Sequence, residues 1–128
     1  MIILVAAHWL MPWFIVVLGL TAMFKFARSH VDEKPFSETD RRLVVVFSGM
    51  MDLQGGIGLF LFFRRGLAGE GIPMYLVFHA IAMFVAVLIP HVSLNRTGTE
   101  EASLNLQYFY TLLATFLVLL VGISLVPQ

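Results

Sequence analysis

Four apolar runs, near Ile2–Phe24, Leu43–Phe63, Pro73–Val92 and Leu106–Val126, take up most of this 128-residue chain. At 1.5 Å per residue, runs of this size reach roughly 30 Å, the thickness of a bilayer's hydrocarbon core. Short loops separate them, so sequential helices should be antiparallel neighbours. The spacing predicts an all-α integral membrane four-helix bundle running up-down-up-down. It forms one domain over residues 1–128, with helices at about 2–26, 43–63, 73–94 and 104–126. Composition agrees: 59% of residues are hydrophobic and 12% charged, where soluble domains average roughly 45–50% and about 25%.

Cysteine is absent, which excludes disulfides, thiolate metal sites and iron–sulfur clusters. A net charge of zero argues against a nucleic-acid partner. The first run lacks a basic leader and is too long for a signal h-region, so it is expected to remain as a helix. Basic residues are uneven: Lys25, Arg28, Lys34, Arg41, Arg42 and Arg96 lie on one side, and Arg64 and Arg65 on the other. By the positive-inside rule both termini should face outward and the loop after the first helix should face the cytoplasm. Trp9 and Trp13, and Tyr108 and Tyr110, read as interfacial aromatic belts. Ser37 with Asp40 makes an imperfect capping box, Pro73 suits a first helical position, and Thr99 is a plausible N-cap. Asn95–Thr97 matches a glycosylation sequon that is common by chance.

Ionisable groups inside apolar runs are costly and point to function. His8 lies six residues past Ile2, and His79 six past Pro73. Each is then roughly 9 Å below the outer end of its helix. The first and third helices are diagonal and parallel in such a bundle, so the two imidazoles share a level. That is a constellation that ligates the iron of a b-type haem. Ala82 and Ala86 share the His79 face and Gly19 the His8 face, as a flat macrocycle needs. The competing readings are an interfacial His8 and a carbonyl-bonded core His79, or another ligand such as chlorophyll or a bare metal. His91 is rotated about 120° from His79 around the helix. It is expected near the inner interface after Pro90, with Met23 a weaker candidate partner. His30 should be solvated.

Pro12 cannot donate to the carbonyl of His8, and in lipid that carbonyl must find another donor. Asp52, mid-run with Gln54, should face the bundle, since an aspartate there costs roughly 2.5–3.5 kcal/mol. It could relay protons to a quinone, neighbour a haem propionate, partner a histidine, or bond Gln54 or Ser48 structurally. The small residues Ser48, Gly49, Gly55, Gly56 and Gly58 around it allow close approach of a neighbour. The fourth run carries no ionisable group and is expected to seal the bundle.

HWLMPW, PFSETDRRL, DLQGGIGLFL, FHAIAMFVAVLIPH and the closing GISLVP together resemble small four-helix bacterial membrane proteins labelled cytochrome b-like. The likeness spans nearly the whole chain through individually weak motifs. It implies functional positions at His8, Asp52, Gln54, His79 and His91. This chain departs from the pattern at Met11 and Pro12, where a basic residue commonly follows the first histidine, and at Phe78, where an acid usually precedes the third-helix histidine. Two functions follow as expectations. One is a haem b-binding or electron-transfer subunit of a respiratory or photosynthetic complex in a bacterial inner membrane, with quinone as a further candidate. The other is a cofactor-free accessory subunit of a larger membrane complex. A transporter is poorly supported without an inverted repeat, and nothing in the sequence resembles a nucleophile with its base.

Overall fold

The computed structural model describes residues 1–95 and 101–127, with Glu101 and Ala102 as backbone only. Four α-helices follow in order: α1 (Ile2–Val31), α2 (Glu38–Leu67), α3 (Met74–Leu94) and α4 (Glu101–Ser124). All four are long and apolar enough to cross a membrane. Thr99 and most of the Asn95–Thr97 sequon lie outside the described residues, as does Arg96.

Helices α1 and α2 outrun their apolar segments, so most of the charged stretch expected as loop is helical and only 32–37 connects them. A helix satisfies its own backbone wherever it runs, and here the extension is anchored by aromatic packing. Phe26 is fully buried, and Phe36 stacks on Tyr108 with ring centroids 4.9 Å apart. Tyr108 is therefore a core residue of this end, not a belt residue; Tyr110, Trp9 and Trp13 are exposed. The N-terminus of α2 is a complete capping box. Ser37 Oγ accepts from the Asp40 N–H at 3.2 Å, and Asp40 Oδ2 accepts from the Ser37 N–H at 2.8 Å. Asp40 also pairs with Lys25 of α1. Asn105 Nδ2 donates to the Lys34 carbonyl at 2.8 Å, which ties the loop to α4. Pro73 is the N-cap of α3 (ψ 145°) and not its first helical residue.

Contacts fix the helix order. Lys25 meets Asp40 at one end and His8 meets Gln54 toward the other, so α1 and α2 are antiparallel. Ser93 bonds Thr111 while His79 bonds Gly122, so α3 and α4 are antiparallel as well. The packed pairs are α1 with α2, α2 with α3, α3 with α4 and α4 with α1, leaving α1 diagonal to α3. Ile15, Ala22, Phe47, Met51, Ala86 and Leu112 form the central core. Helix α4 contributes hydroxyls as well as apolar groups: Thr111 and Thr115 back-bond to the carbonyls of Gln107 and Thr111. Such bonds let polar residues sit inside a membrane-type bundle.

Candidate functional site

Histidine anchors two of the polar clusters in the bundle. The first contains the diagonal pair. Pro12 leaves the His8 carbonyl without its intrahelical donor, and Gln54 of α2 fills the vacancy. Its Nε2 donates to the His8 carbonyl at 2.9 Å and lies 3.0 Å from His8 Nδ1. The His8 ring also rests on Gly58, where an added Cβ would come within 2.8 Å of it. Across the bundle, His79 Nδ1 lies 2.8 Å from the carbonyl of Gly122. Gly122 is in the last turn of α4, where carbonyls have no intrahelical donor. Each site thus uses a carbonyl that secondary structure leaves open: His8's own, filled by Gln54, and that of Gly122, met by His79.

The partners set the tautomers. A carbonyl only accepts, so the atom of Gln54 facing the His8 carbonyl is the amide nitrogen, and His8 Nδ1 accepts from it. His8 then carries its proton on Nε2. His79 Nδ1 faces a carbonyl and must donate, which leaves a lone pair on Nε2. His79 therefore has the arrangement typical of a metal-bound imidazole, with the far nitrogen held by a carbonyl. His8 has the opposite one. For His8 to ligate, its Nδ1 would need an acceptor. Gln54 Oε1 is buried and has no hydrogen-bond partner, but turning the amide to bring it to Nδ1 would set it against the His8 carbonyl, acceptor against acceptor.

As bonded here, His79 presents a free Nε2 lone pair and His8 does not, so the pair offers one haem ligand and would need His8 to change tautomer to offer two. Of the small positions expected to receive a macrocycle, Gly19 is already covered and Ala86 is packed in the core. A Cβ on Gly19 would meet Phe116 at 2.5 Å and Phe47 at 2.8 Å, and one on Gly122 would meet Met83 at 2.2 Å. Among the described residues no group of three His, Asp or Glu side chains converges as a bare metal site would need.

The second cluster joins α2 and α3. His91 Nε2 lies 2.7 Å from Asp52 Oδ1 and 3.3 Å from Ser48 Oγ. Of the structural partners considered for Asp52, neither Gln54 nor Ser48 holds it; Gln54 serves His8, and Ser48 serves His91. Nor is Asp52 a buried residue facing the core. Its side chain is 46% exposed and that of His91 43%, at the outer rim of the α2–α3 seam. Helical phase explains this: Ser48 and Met51 take the inward positions of α2 and are buried, which turns Asp52 to the edge. Around it, Gly55 approaches Val87, while Gly49 and Gly56 face open space. Met23 packs against the apolar core, and His30 is exposed.

The Lys25–Asp40 pair is the polar feature that sequence reasoning undervalued. Asp40 was legible as a cap, but no spacing rule marks a lysine fifteen residues earlier as its partner. No family model, curated protein or solved structure matches this chain.

Proposed function

We propose that the protein is a small multi-pass subunit of a bacterial inner membrane that binds a b-type haem and passes electrons within the bilayer. The observation that carries this reading is His79, whose Nδ1 is held by the Gly122 carbonyl so that Nε2 keeps its lone pair, with His8 on the diagonal helix as the second imidazole. When bound, haem would supply one-electron chemistry that the side chains lack. The chain's own part is to hold and orient the two imidazoles and to exclude water with Phe47, Phe116 and Met83. A cofactor-free accessory subunit is the second reading, favoured by the filled space over Gly19 and Gly122.

An absorption spectrum of the purified, dithionite-reduced protein separates the two. The haem reading expects b-type bands that vanish or weaken severely in His79→Ala and His8→Ala and persist in His91→Ala and His30→Ala. A spectrum without such bands after growth with a haem precursor would leave the accessory reading. Loss on replacing His91 instead would move the site.

The same proposal places the 32–37 loop in the cytoplasm and both termini outside, from the excess of basic residues around that loop. Lys34 has an exposed side chain paired with Asp32, which makes it a suitable reporter. A cysteine at position 34 should react with a membrane-impermeant maleimide only after the cells are opened. Labelling in intact spheroplasts would reverse the orientation.

A further inference from the structure

Two independent features meet on the outer side of the α2–α3 seam. The first is a pair of open glycines. Gly49 and Gly56, about two turns apart, share one face of α2; both are exposed, and a Cβ on either would meet nothing within 4 Å. Glycine weakens a helix relative to alanine, so these two gain nothing from the copy's own packing. Gly19, Gly58 and Gly122, by contrast, receive Phe116, His8 and Met83. Small residues let membrane helices approach closely, and here the room is left for a helix from outside. The second feature is the Asp52–His91 pair, midway along α2. Within the copy His91 Nε2 meets Asp52 Oδ1, and among the described residues Asp52 Oδ2 and His91 Nδ1 have no partner. One acceptor and one ring nitrogen that donates in the imidazolium thus stand side by side, at a depth where acyl chains offer no hydrogen bond.

We propose that this seam is a dimer interface whose occupant is a second copy of the chain, related by a two-fold axis along the membrane normal. Symmetry and charge complementarity select the partner. Asp52 and His91 are bonded to each other, so they lie at one depth. A two-fold rotation therefore brings His91 of the second copy to the level of Asp52, and the reverse. Each imidazole then donates through Nε2 to its own Asp52 and through Nδ1 to Asp52 Oδ2 of the other copy. The result is a closed ring of two carboxylates and two imidazolium groups with no net charge. Helix α3 of each copy lies over Gly49 and Gly56 of the other. An unrelated helix would need its own donor and acceptor at this depth, whereas a copy inserted in the same orientation carries both. The interface does not depend on what His8 and His79 hold.

The test is sedimentation equilibrium of the purified full chain in density-matched detergent micelles, with helicity from circular dichroism as the check on folding. Wild type should dimerise. Gly49→Leu and Gly56→Leu, made into open space, should keep the helicity and each weaken dimerisation at least about tenfold. Asp52→Asn and His91→Gln should each weaken it as well. An equimolar mixture of those two should associate more tightly than either alone, because a mixed dimer retains one Asp52–His91 contact between copies. Leu117→Ala, on the exposed face of α4, should change nothing. If the polar variants fail to fold, the glycine variants still decide the matter. A monomeric wild type, whether alone or bound to a different membrane protein, would overturn the proposal. So would dimers indifferent to both glycine variants, or a mixture of Asp52→Asn and His91→Gln no tighter than its components.

Discussion

Gln54→Leu is expected to destabilise the bundle by about 2–3 kcal/mol, and Pro12→Ala to recover most of that loss in the double variant. Leucine preserves bulk but removes the donor that reaches the His8 carbonyl at 2.9 Å. That carbonyl is orphaned solely because residue 12 is a proline, and a buried acceptor left without a donor costs roughly 1–3 kcal/mol. Alanine at 12 restores an N–H four residues along, so the helix can satisfy itself and Gln54 becomes dispensable. A double-mutant cycle read from reversible unfolding in mixed micelles should give a coupling of about 1–2 kcal/mol. Strict additivity would mean that Gln54 stabilises through packing or through His8 Nδ1 alone. The same cycle bears on the site: with Gln54 gone, His8 Nδ1 loses its donor and the imidazole is free to change tautomer.

The second large effect is expected at the other end of the bundle. Asp40 is only 3% exposed and does three things at once: it caps α2 through Ser37, accepts the Ser37 hydroxyl at 2.7 Å, and pairs with Lys25 of α1. Asp40→Ala should cost about 2–3 kcal/mol, roughly a cap plus a buried donor left unpaired. The ion pair adds little to this figure, because the lysine side chain is 41% exposed and can return to water. Asp40→Asn keeps an acceptor for Ser37 and should lose less than half as much. If Asn and Ala proved equally harmful, the charge and not the cap would dominate, and raised salt should then weaken the wild type markedly.

Much of this architecture is written in local chemistry. Apolar run length predicts four helices, short connections predict antiparallel neighbours, and similar offsets from the starts of the apolar runs predict His8 and His79 on one level. Pro12 even announces that the His8 carbonyl needs a donor from elsewhere, because a missing N–H is a property of one residue type. Ser37 and Asp40 are legible for the same reason, since capping is set within a single turn.

What the chain could not declare alone is which distant partner answers each of these needs. Gln54 instead of a backbone group serves His8, the open last turn of α4 receives His79, and Lys25 finds Asp40. Asp52 shows the limit most clearly: its residue type argues for a place inside the bundle, yet packing gives Ser48 and Met51 the inward positions and leaves Asp52 on the rim with His91. Tyr108 reverses in the opposite direction, from a belt position to the core, because Phe26 and Phe36 close over it. Helix formation depends on bonds four residues apart and is decided along the chain. The rotation of each helix about its axis is decided by neighbours that may lie seventy residues away, as Asn105 and Lys34 do at a separation of 71, and only the assembled bundle sets it.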